Sequence, residues 1–218
     1  MSDLFAFAPH GHASLPLDVL AGITLLAIVP LLLVTCTSFV RIVVVLSLVR
    51  SAIGASALPP NAVLSSIALI LTFVVMSPTL GAIRREAVEP YARGTLPASQ
   101  ALARAMLPLR AFMLRQTRLE DIALFERIAH RSPEPPQNVP VEVVIPSFVV
   151  GELRSAFAIG FALYLPFVAI DLAVAALLMG LGMMMLSPSV VSLPVKLLLF
   201  VMVDGWALVC GGVAASFR

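Results

Sequence analysis

Apolar positions along the chain fall into two long blocks, residues 15–83 and 151–218, separated by a polar stretch at 84–150 that carries most of the arginines and carboxylates. Within the first block, residues 17–34 are long enough for a membrane-spanning helix, which needs about 20 apolar residues, and Pro30 should kink it. The apolar character resumes at 39–49, interrupted by Arg41 and ended by Arg50. Gly54 and the Pro59-Pro60 pair mark a break. Asn61 then stands where a helix N-cap belongs, so 62–83 reads as a second spanning-length helix with Pro78 near its end.

The polar stretch is amphipathic. Leu102, Met106, Leu109 and Met113, then Leu119, Ile122, Phe125 and Ile128, recur at helical spacing. The pattern predicts two short helices with a turn near 116–118. Four prolines in 132–140 make a loop, and 141–145 reads as a short extended piece leading into Pro146. Beyond it, 156–186 is apolar except for Asp171 and is divided by Pro166. Ser187-Pro188 breaks the helix, and 190–213 forms a further apolar stretch that contains Pro194, Lys196 and Asp204. The expected fold is all-α: kinked, membrane-associated helical hairpins around a polar helical middle. Its parts are a tail at 1–14, an apolar region at 15–83, a polar region at 84–150 read as periplasmic, and an apolar region at 151–218.

Composition sharpens that picture. A hydrophobic fraction of 60% with only 12% charged residues leaves too little polar surface to clothe a soluble protein of this size, so lipid or partner subunits must cover the remainder. A net charge of +2 without a basic run gives no footing for nucleic acid. Cys36 and Cys210 lie far apart in apolar stretches without metal or redox spacing and read as buried free thiols. His10 and His12 read as part of the tail rather than as metal ligands. The tail lacks a basic region ahead of the apolar stretch and a small-residue cleavage site after it, so a retained segment is expected.

The chain contains no nucleotide-binding, zinc-hydrolase or nucleophile-elbow motif, and Asp171 and Asp204 are the only carboxylates deep in apolar segments, the one candidate acid–base pair. A non-enzyme without cofactor is expected. Arg41, Asp171, Lys196 and Asp204 interrupt apolar helices, where an unpaired charge costs about 2.5–3.5 kcal/mol at mid-bilayer. Their balanced signs favour pairs between helices or subunits, with a proton or ion path as the alternative. Met183, Met184 and Met185, between Gly182 and the Ser187-Pro188 break, cannot share one helix face. Methionine is flexible and polarizable, so such a run suits a soft seal around a pore. A lipid-facing loop fits the same physics equally well.

Several stretches resemble the FliP/SctR family of type III export-gate proteins. They are Thr37-Ser38-Phe39-Val40-Arg41-Ile42, Pro59-Pro60-Asn61, Met76-Ser77-Pro78, Glu152-Leu153, Leu165-Pro166-Phe167, Ile170-Asp171-Leu172, Gly182-Met183-Met184-Met185, Leu193-Pro194, Lys196-Leu197 and Asp204-Gly205-Trp206. The likeness runs in order over about residues 20–218. It implies a pore-forming subunit of a closed helical gate in the bacterial inner membrane, present in five copies. The implied companions are FliQ/SctS-like and FliR/SctT-like subunits, with FlhB/SctU-like and FlhA/SctV-like export proteins, and unfolded proteins are the implied substrates. The methionine run is similar to the family's pore gasket. Glu152 and Lys196 match positions where charges pair between neighbouring copies. Leu107-Pro108-Leu109-Arg110 and Val203-Asp204-Gly205-Trp206 look flagellar, whereas Leu186-Ser187-Pro188 and the short length lean toward an injectisome. The balance favours a flagellar basal body. A small ion channel or transporter using Asp171 and Asp204 is the competing class.

Overall fold

The computed structural model describes Ala27 and residues 30–55, 58–183 and 185–217. The chain divides into two compact units, 1–33 and 34–218. In the first, Ala27 and residues 30–33 are helical; the expectations for the tail, with His10 and His12, and for 17–29 apart from Ala27 lie outside the described residues. The second unit contains α1 (Phe39–Ile53), α2 (Asn61–Ile83), a π-helical turn (Arg84–Val88), α3 (Glu89–Ala92), α4 (Ala98–Gln116), α5 (Leu119–Ile128), α6 (Val141–Gly180), α7 (Pro188–Met202) and α8 (Gly205–Ala215). No strand occurs among the described residues, so the chain is all-helical.

The centre of this unit is α1. Ile42, Val45, Leu46, Val49 and Ala52 are buried, a spacing of three and four that keeps them on one face of a helix. This burial outweighs the modest helix propensity of the β-branched valines and isoleucines. Arg50 lies in the last turn, and Gly54 ends the helix at φ 84°, a left-handed conformation that glycine adopts without steric cost. Residues of α2, α6, α7 and α8 close around α1, with Leu64, Ala68, Ala156, Phe167, Phe200, Val209 and Val213 joining its core. Gly160 lets α6 approach closely, because a Cβ there would lie 2.3 Å from Leu48 Cδ1 and 3.0 Å from Leu48 Cβ.

Four local expectations change. Asn61 is not the N-cap of α2: Pro60 occupies that position, and Asn61 Oδ1 instead accepts a hydrogen bond from Arg50 Nη1 at 2.6 Å. Residues 141–145 are helical, not extended. Burial of Val143, Val144 and Phe148 rewards the helical register there, and the Ser147 hydroxyl donates to the Val143 carbonyl at 2.6 Å. Pro166 does not divide the long apolar segment, since α6 runs unbroken through 40 residues, about 60 Å at 1.5 Å per residue. The stretch at 190–213 is two helices bent by 64°. Asp204 at the break adopts φ 49°, and a Cβ on Gly205 would lie 2.3 Å from the Phe200 ring. The two helices predicted in the polar stretch are present as α4 and α5, with the turn at Thr117-Arg118.

Two continuous helical runs, Asn61–Ala92 and Val141–Gly180, are long and apolar enough to cross a membrane, and α7 with α8 passes the same test jointly. Only a narrow stripe of α2 is buried, namely Leu64, Ala68, Thr72, Met76 and Thr79. Ile70, Phe73 and Val74 remain exposed on α2, as do Phe157, Phe161, Leu165 and Leu172 on α6. A helix that is apolar on every side belongs in lipid or against other chains.

The contact at Gly160 yields a direct test. Gly160→Ala should lower stability by about 1–3 kcal/mol through overpacking, and the cost should shrink to near zero in a Leu48→Ala background. Thermal unfolding of the detergent-purified variants measures both.

Candidate functional site

The charges that interrupt the apolar helices are brought together in two places. In the first, Arg41 of α1 meets Glu152 of α6 in a two-pronged pair: Nε donates to Oε2 at 2.8 Å and Nη2 to Oε1 at 2.5 Å. The remaining guanidinium hydrogens also find acceptors. Nη1 donates to the Ser216 carbonyl at 2.9 Å and to Ser216 Oγ at 3.0 Å, and Nη2 donates to Gln116 Oε1 at 3.3 Å. Arginine has five N–H donors in a planar fork, so every one of them is used. The Phe217 ring covers the guanidinium with its centroid 3.9 Å from Cζ, a cation–π contact. Arg41 and Glu152 are almost wholly enclosed, at 4% and 0% side-chain exposure.

The second cluster lies at the other end of α1. Lys196 Nζ of α7 donates to Asp171 Oδ2 of α6 at 2.6 Å and to the Ala52 carbonyl at 3.2 Å. Ser192 Oγ donates to Asp171 Oδ1 at 2.6 Å. Ala52 is in the last turn of α1, where carbonyls lack intrahelical partners and the helix dipole favours a cation. Lys196 therefore neutralises a carboxylate and caps a helix with one ammonium group. Asp204 joins neither cluster: it is exposed and forms no ion pair among the described residues. Its backbone carbonyl accepts from Leu208 N at 3.1 Å in the first turn of α8.

Glu152 and Lys196, which the resemblance pairs between neighbouring copies, each hold a partner inside the chain. The pairs Arg41–Glu152 and Lys196–Asp171 join residues that sequence reading had singled out without matching them. A third pair escaped it. Arg154 reaches Asp121 of α5 through Nη2 to Oδ1 at 2.7 Å and Nη1 to Oδ2 at 3.2 Å, and Asp121 is buried. An acidic residue in the first turn of a helix reads as a favourable dipole contact, so its sequence position carried no sign of a distant arginine. Gln116, Ser216 and Phe217 were equally silent, because nothing in local spacing marks residues that meet only in the fold.

The methionine run occupies the turn from α6 to α7. Gly182 takes φ 75°, Met183 N bonds the Leu178 carbonyl at 2.9 Å and Gly182 N bonds the Met179 carbonyl at 3.1 Å. These two bonds are the Schellman pattern that ends a helix on a left-handed glycine. The turn throws its side chains outward: Met183 is 46% exposed and Met185 fully exposed, with Leu181 and Leu186 also exposed. Met184 lies outside the described residues. Among the described residues, no cluster of three or more His, Cys, Asp or Glu side chains is placed to hold a metal. Cys36 and Cys210 are free thiols, the first buried and the second partly so.

Breaking a buried ion pair by removing one partner costs about 3–5 kcal/mol, whereas replacing both partners by apolar groups is often tolerated. Arg41→Met and Glu152→Leu should each impair accumulation and melting temperature strongly. The double variant should lose less than the sum of the two, as read by thermal unfolding of purified protein; additive losses would show that the two charges do not depend on each other.

The family model described as the FliP family matches residues 22–213. The chain is 49% identical to the flagellar biosynthetic protein FliP of Pectobacterium carotovorum subsp. carotovorum, over 96% of this chain and 82% of that protein. It is 47% identical to the protein of the same name from Cereibacter sphaeroides, over 93% of this chain and 68% of the relative. The Bacillus subtilis (strain 168) protein of that name is 40% identical, over 99% of this chain and 98% of its own length. With a family-model match over residues 22–213 and 40–49% identity over nearly the whole length, the chain belongs to the FliP family.

Proposed function

We infer that this chain is a pore-forming subunit of the flagellar type III export gate, in which the α6–α7 turn seals the passage for unfolded proteins. Family membership supports the coarser part of that reading, a component of flagellar export. The observation that carries the finer part is the methionine turn. Met183 and Met185 project from a glycine-terminated helix end, Met183 about half exposed and Met185 fully so. With exposed Leu181 and Leu186 they form a contiguous apolar patch, the kind that marks a contact with another molecule, and methionine adapts to irregular surfaces without polar demands. Several copies arranged around an axis would bring Met183, Met184 and Met185 together as a deformable hydrophobic ring.

The exposed apolar faces of α2 and α6 are the surfaces on which copies and companions would assemble. Five copies with FliQ/SctS-like and FliR/SctT-like subunits, served by FlhB/SctU-like and FlhA/SctV-like proteins, form the proposed gate, set in the bacterial inner membrane with the polar region at 84–150 on the periplasmic side. The naming of the relatives as flagellar favours the basal body over an injectisome. Lys196 is buried and already bonded to Asp171 and Ala52, so its pairing with a neighbouring copy would require this cluster to open. Glu152 is enclosed by its own chain, so a pairing between copies would require its cluster to open.

A small channel or transporter built on Asp171 and Asp204 is the weaker reading. Asp171 is already held by Lys196 and Ser192, and no hydrogen bond or ion pair joins it to Asp204.

The methionine turn supplies the test. Replacing Met183, Met184 and Met185 together with alanine should leave assembly intact while raising small-molecule leakage through the membrane of cells expressing the gate. Unchanged permeability in an assembled gate would sink the gasket assignment.

A further inference from the structure

A groove with a cavity volume of about 810 Å³ opens beside the C-terminal end of α1, within the roughly 300–1,000 Å³ typical of small-molecule sites. Ile67 of α2, Leu193 and Leu197 of α7, and Phe200 and Trp206 form much of its wall, with the Pro59-Pro60 turn at one end. Among the described residues lining it, Arg50 is the only charged one. Arg50 uses Nη1 on the Pro59 carbonyl at 3.2 Å and on Asn61 Oδ1 at 2.6 Å. Its Nε and Nη2 make no hydrogen bond among the described residues, so three of the five guanidinium N–H groups are left for an outside acceptor.

The chemistry of the lining selects an amphiphile. An apolar trough lacks partners for a peptide backbone, whose N–H and C=O groups would be costly to bury without hydrogen bonds. A hydrocarbon chain makes no such demand. At the rim, one arginine with free donors and no neighbouring carboxylate complements a phosphate, which arginine binds through paired hydrogen bonds. Tryptophan and arginine beside a trough between apolar helices also mark the depth of lipid headgroups, where an amphipathic ring and a basic side chain are both favoured. The Trp206 indole packs edge-on against Phe200 with centroids 5.2 Å apart, which holds its ring at the mouth of the groove.

We propose that this groove is a binding site for an anionic phospholipid, with an acyl chain along Ile67, Leu197 and Phe200 and the phosphate on Arg50. The groove shares no lining residue with the methionine turn or with either charge cluster, although it adjoins the Lys196 cluster at the end of α1, and it does not depend on the gasket reading. It gives the subunit a dependence on lipid charge at one defined place.

Trp206 is the sole tryptophan of the chain, which makes it a built-in reporter. The full chain is reconstituted into phosphatidylcholine vesicles containing a minor fraction of phosphatidylglycerol brominated on its acyl chains. A parallel sample carries the same fraction of brominated phosphatidylcholine. Bromine quenches indole fluorescence only at contact, so the two samples compare occupancy by headgroup. Brominated phosphatidylglycerol should show a relative affinity higher by roughly fivefold, the factor expected for one basic residue meeting one anionic lipid. Arg50→Gln should reduce that preference to near unity while leaving quenching by the two lipids equal, and Arg50→Lys should keep part of it. Ile67→Phe, which fills the trough, should weaken quenching by both. Equal quenching by the two lipids in the unaltered chain would overturn the proposal, as would a preference that survives Arg50→Gln. Absence of quenching, meaning that protein covers Trp206 in the assembled state, would overturn it as well.

Discussion

Arg41 holds the second unit together. Its guanidinium lies among four segments far apart in sequence: α1 itself, the end of α4 through Gln116, the N-terminal third of α6 through Glu152, and the C-terminal residues Ser216 and Phe217. An arginine in an apolar interior is tolerated only when its charge is matched and its donors are satisfied. Meeting that condition here leaves very little freedom. Two N–H groups must face one carboxylate, two must face Ser216, the fifth must face Gln116, and the ring of Phe217 must cover the plane. The helices are thereby set in register by a geometric demand that hydrophobic packing, being non-directional, does not make.

The Lys196 cluster applies the same logic at the opposite end of α1. There the cation serves a carboxylate and the open carbonyl end of a helix together. Between the two clusters α1 is packed by valine, isoleucine and leucine and closely approached by α6 at Gly160. The result is a central helix anchored at both ends by charge and along its length by close packing. The outward faces of α2 and α6 carry no such polar constraints and stay apolar. Directional interactions thus specify the subunit internally, while its outer surfaces suit lipid or other subunits.

Where the chain turns, backbone geometry decides what is displayed. Gly182 ends α6 in a left-handed conformation, so the methionines leave the helix axis and become exposed. Asp204 and Gly205 bend the last apolar stretch, which places Trp206 against Phe200 and beside the groove at the end of α1. The methionine turn and the Trp206 end of the groove therefore both arise at breaks between helices, where side chains are freed from packing along a helix face.

Much of this was legible in the sequence. The apolar blocks, their charges and the amphipathic periodicity of 98–131 are enough to establish an all-helical, membrane-associated chain, because helix periodicity and lipid compatibility are local properties of side-chain order. The special standing of Arg41, Glu152, Asp171, Lys196 and the methionine run was also legible, since each departs from its surroundings. Only the tertiary structure decided who meets whom. It joined Arg41 to Glu152 and Lys196 to Asp171, drew in Ser216, Phe217 and Gln116, and revealed Asp121 with Arg154. It also carried α6 through Pro146 and Pro166, which local rules read as an extended lead-in and a division. The physical reason is the same in each case: one-dimensional pattern records what a side chain needs, whereas which distant group supplies it depends on helices crossing in space.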